Sequence, residues 1–139
     1  MENACNLVKQ YGPLAGRILL SLIFLLSGID KITNFAGTAG YMAKAGIPLT
    51  QIALVISILI EIGGGLMLIV GWKARWAATA IFLWMIPVTL MFHNFWAADA
   101  AQYQNQFNHF LKNLCIIGGM LYVMAFGAGP LSLDNRSKT

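Results

Sequence analysis

The chain has 139 residues, 58% hydrophobic and only 10% charged, with a mean hydropathy of +0.70. Soluble domains carry about 25% charged residues, so there is too little polar surface here to coat a globule in water. The net charge of +4 forms no patch or arm; its basic residues stand singly at the ends of apolar segments, which points away from nucleic acid and toward a lipid bilayer.

Four apolar segments, each long enough for a span of about 20 residues, predict an all-α polytopic membrane protein. The expected architecture is an antiparallel bundle of four transmembrane helices, one domain over 1–139, with spans near 13–32, 48–70, 74–92 and 110–126. The first opens at Pro13, a residue suited to a helix start. Lys9 and the run Ile18 to Leu26 resemble a signal peptide. However, Arg17 interrupts the apolar stretch and no A-x-A site follows, so a retained helix is expected. Along it Arg17, Ser21, Phe24, Gly28 and Lys31 recur at spacings of four and three, which places them on one face.

The second segment reads PLTQIALVISILIEIGGGLMLIV, and Glu61 is its only formal charge. An ionised carboxylate at bilayer depth costs roughly 3 kcal/mol by insertion scales. It is therefore expected to be neutral, paired, or turned toward protein. Ser57, Glu61 and Gly64 share its face, and Arg17 is the partner expected for Glu61. Lys31 and Lys112, near the outer boundary, are expected to be too shallow to meet it. A short turn from Gly71 to Arg75 makes spans two and three a hairpin.

In the third segment Pro87 removes one backbone hydrogen bond and is expected to kink the helix near Leu83. His93 closes this segment, four residues after Thr89. The fourth carries Lys112, Cys115, Gly119 and Tyr122 on one expected face and ends on Gly127-Ala128-Gly129-Pro130. Small residues at Gly12 and Gly16, Gly63 to Gly65, Ala74 and Ala78, and Gly118 and Gly119 would let helices approach closely. Cys5 and Cys115 are expected near opposite membrane faces, against an intrachain disulfide.

With the N-terminus inside, the inner side carries Lys9, Arg17, Lys73, Arg75, Arg136 and Lys138, and the outer side Lys31, Lys44 and Lys112. That asymmetry predicts cytoplasmic termini. Trp72 and Trp76 mark the inner interface, and Phe95, Trp96 and Tyr103 the outer one.

Two constellations could carry chemistry. One is the intramembrane pair Arg17 and Glu61. The other lies at the outer ends, where Lys31, His93, Lys112 and Asn113 could hold an anionic or carbonyl-bearing headgroup. Lysines snorkelling at span ends would give the same pattern without a ligand. Glu61 and His93 are the candidate catalytic groups, since imidazoles exchange protons near neutral pH. His93 and His109 lack further ligands at metal-binding spacing, so no metal site is expected, and no motif for an intrinsic soluble cofactor is present.

These residues also resemble the pattern of a known family. Arg17 with Phe24, Gly28 and Lys31, Glu61 with its glycines and Gly71, and Arg75 resemble the DoxX family of small bacterial inner-membrane proteins. So do His93-Asn94-Phe95-Trp96, Phe110-Leu111-Lys112-Asn113 and the tail from Gly127 through Ser132-Leu133-Asp134. The resemblance runs almost end to end. It implies a four-helix protein of the bacterial inner membrane and, from the thiosulfate:quinone oxidoreductase subunit that names the family, a membrane subunit working with an oxidoreductase partner and with quinone. Whether the chain is itself an enzyme stays open. The alternatives are a non-enzymatic scaffold or assembly partner, or a small-solute permease, which would have to be a homo-oligomer because four short helices enclose little volume.

Overall fold

A computed structural model describes residues 2–136; Lys138, counted above among the inner charges, lies outside them. The described residues are helical, without a strand, and four helical stretches are long and apolar enough to cross a membrane: Glu2–Thr33, Thr50–Val70, Ala74–Ala97 and Ala100–Phe126. The chain is a membrane protein with four candidate spans among the described residues.

Helix α1 (Glu2–Thr33) begins well before Pro13. An interior proline forfeits its own intrahelical hydrogen bond but need not end a helix in a bundle. The expected start was therefore late, and at 1.5 Å per residue α1 reaches about 48 Å, well beyond a hydrocarbon core of about 30 Å. A short helix α2 (Phe35–Lys44) follows, which the hydropathy pattern does not announce. The second span is built of α3 (Thr50–Ile58), a single π-turn (Leu59–Gly63) and α4 (Gly64–Val70). Helix α5 (Ala74–Phe92) runs through Pro87 as one element. A 3-10 turn (Phe95–Ala97) leads to α6 (Ala100–Phe126), ten residues earlier than expected at its start. Asp99 caps α6, its side chain accepting from Gln102 N–H at 2.9 Å. A short helix α7 (Leu133–Arg136) ends the described chain.

The bundle is antiparallel. Helix α1 packs along α3 and α4, α4 along α5, and α5 along α6, while α1 and α6 touch sparsely. The stripe read on α1 is the buried one: Arg17, Ser21, Phe24 and Gly28 all face inward. So are Ser57, Glu61 and Gly64 on the second span. On α6 the expected face is wrong by about one residue. Lys112, Cys115 and Tyr122 are exposed, and Met120 and Val123 fill the core beside Ile116. Cysteine and tyrosine are weakly polar and Lys112 can snorkel, so bulk and shape set the rotation of this helix. Cys5 and Cys115 are both free and exposed.

Close approach uses only some of the small residues. A Cβ on Gly28 would fall 2.7 Å from Ile62 Cδ1, one on Gly65 2.9 Å from Leu25 Cδ2, and one on Gly119 2.9 Å from Leu20 Cδ2. Ala74 and Ala78 are fully buried. Gly16, Gly63 and Gly118 face open space, and Gly12 meets only its own helix.

One end of the bundle is tied together by Arg17, which is 2% exposed. Its Nη1 donates to the carbonyls of Leu68 at 2.9 Å and Ile69 at 3.2 Å, its Nη2 to Leu131, and its Nε to Pro13 at 3.3 Å. The fork satisfies carbonyls left over at the end of α4 and anchors the tail after α6. It makes no contact with Glu61, so the pair expected from sequence is not formed. Side chains lean toward a helix's N-terminus. Arg17, in the first half of α1, is thereby carried away from the membrane centre and onto the α4 terminus. Gly71, at φ +67, closes α4 in the left-handed conformation, and a side chain there would collide with Arg17 and Ser132. Asp134 completes the knot: its carboxylate accepts from the N–H of Lys73 at 2.6 Å and of Ala74 at 2.8 Å, capping α5 from the far end of the chain.

Candidate functional site

At the opposite end, the four helices separate around a cavity of about 490 Å³. Helix α1 lends it Phe24, Ser27 and Lys31. Helix α2 closes over it with Tyr41 and the buried Met42, Tyr41 stacking on Phe92 of α5 at 5.4 Å. Trp84, Met85 and Val88 on α5 and Asn113 and Ile116 on α6 make the far wall.

Glu61 stands at the inner wall, within the π-turn, and is 6% exposed. Its Oε2 lies 2.9 Å from Lys31 Nζ, and its Oε1 accepts from Ser57 Oγ at 2.9 Å. Lys31 Nζ also donates to Ser27 Oγ, at 2.5 Å. Lys31 was expected to be too shallow for this. Its position at the end of α1 is shallow, but its four-carbon stem runs back along α1 toward Ser27, one turn deeper. Charge thus reaches the carboxylate from the outer side, and the only salt bridge among the described residues is Lys31–Glu61. The π-turn is a departure from regular helix that recurs at functional sites. The three glycines that follow Glu61, poor helix formers, were its one legible signal.

The outer candidates separate. Lys31, His93 and Asn113, from three different parts of the chain, line the one cavity. Asn113 Nδ2 donates to Thr89 Oγ1 at 3.0 Å, and the Thr89 hydroxyl donates to the Met85 carbonyl at 2.6 Å. His93 Nδ1 lies 3.2 Å from Gln106 Oε1, and its ring stacks on His109 at 5.0 Å, 11° from parallel. Lys112 is exposed on α6 and does not line the cavity. Its neighbour Asn113 occupies the inward position, and residues next to each other on a helix point about 100° apart.

Sequence reasoning missed Trp84. Its side chain lines the cavity, while its indole Nε1 is buried away from solvent without a hydrogen-bond partner among the described residues. A buried donor left unpaired costs about 1–3 kcal/mol, and such groups call for an explanation. Lys31 is the donor open to a guest, because an ammonium has three N–H groups and two are used. The cavity can therefore hold a small, mostly apolar molecule carrying an acceptor oxygen.

The DoxX family model matches residues 12–94, which include Lys31, Glu61, Trp84 and His93. The chain belongs to the DoxX family. Among its relatives, the inner membrane protein YqjF of Escherichia coli K12 is 35% identical over 91% of this chain and 92% of its own length. The inner membrane protein YphA of the same organism is 29% identical over 88% of each. A Surfeit locus protein 4 homolog of Schizosaccharomyces pombe is 27% identical over 94% of this chain but only 39% of its own length. No solved structure matches.

Proposed function

We propose that this DoxX protein is an inner-membrane subunit of an oxidoreductase complex, with both termini in the cytoplasm, and that its outer cavity receives the headgroup of a quinone. The observation that carries the reading is that one cavity collects Lys31, His93 and Asn113 with the Lys31–Glu61 pair and the Trp84 side chain. The volume falls within the roughly 300–1,000 Å³ of small-molecule sites, which are mainly apolar with a few placed polar groups. A quinone carbonyl is an acceptor, matching the third N–H of Lys31, and the ring would pack on Trp84, Met85 and Val88. Glu61 and His93 are the groups able to exchange protons beside it. The electron donor would be the partner protein. Location and orientation are supported by the two inner-membrane relatives and by the excess of basic residues at the Arg17 end.

The test is titration of the purified protein with a short-chain quinone, read by quenching of tryptophan fluorescence. Saturable quenching is expected, weakened at least tenfold by Lys31→Met and by His93→Ala and unchanged by Lys112→Gln. Linear, unsaturable quenching that is identical in all variants refutes the reading. A second reading draws on the closed network Ser27–Lys31–Glu61–Ser57, which fixes α1 on the second span without any ligand. On that reading the protein is a non-enzymatic scaffold, and intact host phenotype in a Trp84→Phe, His93→Ala variant would favour it.

A further inference from the structure

A second cavity, of about 400 Å³, lies at the other end of the bundle, between the turn that joins α4 to α5, the C-terminal end of α6 and the tail. Arg75 and Lys73 line it, together with Trp76, Phe126 and Gly127. Arg75 is exposed, and its guanidinium has no hydrogen bond or ion pair among the described residues. Lys73 Nζ lies 5.4 Å from the centroid of the Trp72 ring and has no carboxylate partner among them either. The one acid among the described residues of the groove, Asp134, has its two oxygens on the backbone N–H groups of Lys73 and Ala74. Two cations therefore face a shared space in which the Asp134 carboxylate is turned to capping a helix. Trp76 is 74% exposed and Phe126 70%, so the groove continues into a bare apolar surface.

We propose that this groove binds the phosphodiester headgroup of an anionic membrane lipid. Arg75 supplies a planar fork that suits two phosphate oxygens, and Lys73 adds a second charge. The acyl chains lie over Trp76 and Phe126. A basic pocket between helix ends, at the depth where tryptophans mark the headgroup region, is the setting in which anionic lipids are held by membrane proteins. A free anion would have no use for the aromatic surface.

The test uses the full-length protein, delipidated in mild detergent, with phosphatidylglycerol or phosphatidylcholine added at equal mole fraction. Bound lipid is counted by native mass spectrometry and protection is followed by thermal unfolding. The wild type is expected to retain phosphatidylglycerol selectively. At about fivefold per basic residue, Lys73→Gln with Arg75→Gln should weaken that retention about 25-fold. Lys44→Gln with Lys112→Gln, at the opposite end, should leave it unchanged. Should the double variant fail to insert, Arg75→Gln alone is read on the same scale. Equal retention of phosphatidylcholine overturns the proposal, as does an undiminished response in the Arg75 variants. So does an equal loss in the control pair, or full protection by millimolar inorganic phosphate.

Discussion

Replacing Glu61 by Gln strands the Lys31 ammonium. The pair is 2.9 Å apart, with side chains 20% and 8% exposed. Breaking a fully buried pair costs about 3–5 kcal/mol. Lys31 is the more exposed partner and can swing outward to water, so Glu61→Gln is expected to cost about 2 kcal/mol, the Ser57 hydrogen bond being retained. Lys31→Met leaves the more buried partner behind and should cost about 3 kcal/mol, whereas the double variant should lie within about 1.5 kcal/mol of wild type. The assay is a double-mutant cycle on reversible unfolding in mixed detergent micelles, and the expected coupling exceeds about 2 kcal/mol. A parallel cycle pairing Arg17→Met with Glu61→Gln should be additive within about 0.5 kcal/mol. The Arg17 contacts on Leu68 and Ile69 lie seven or more residues beyond Glu61, about 10 Å along the helix. Additivity in the first cycle, or coupling in the second, would refute the assignment of Lys31 as the partner.

Arg17→Lys keeps the charge but cannot span the carbonyls of α4 and of Leu131 at once; a loss of about 2 kcal/mol is expected, with faster proteolysis of the tail after Gly127. Asp134→Ala removes the cap supplied to α5 from the tail and should cost about 1–2 kcal/mol by the same unfolding assay. Trp84→Phe deletes the unpartnered donor but shrinks the bicyclic indole to a single ring, so relief of the donor and the space left behind should offset within about 1 kcal/mol. Loss of this part of the cavity wall should lower quinone affinity about fivefold in a competition titration that needs no tryptophan signal.

Class and most of the framework were legible in the chain before any contact between helices was known. Low charge and four long apolar runs leave a bundle of membrane helices as the answer, because backbone polar groups in lipid must be satisfied within each segment. The helical period placed Arg17, Ser21, Phe24 and Gly28, and separately Ser57, Glu61 and Gly64, on the faces that are buried. Expense in lipid also marked Glu61 as a residue that must be partnered. What it could not give is which partner. Arg17 and Lys31 lie on the same face of one helix, and the choice depends on how far α1 slides along the second span and which way each long side chain leans. Tertiary packing made that choice, sending Arg17 to the carbonyls at the end of α4 and Lys31 inward to Glu61. Packing also turned α6 so that Asn113, not Lys112, faces the cavity, and brought Trp84 to its wall. An apolar helix carries little information about its own rotation, and contacts between helices supply it.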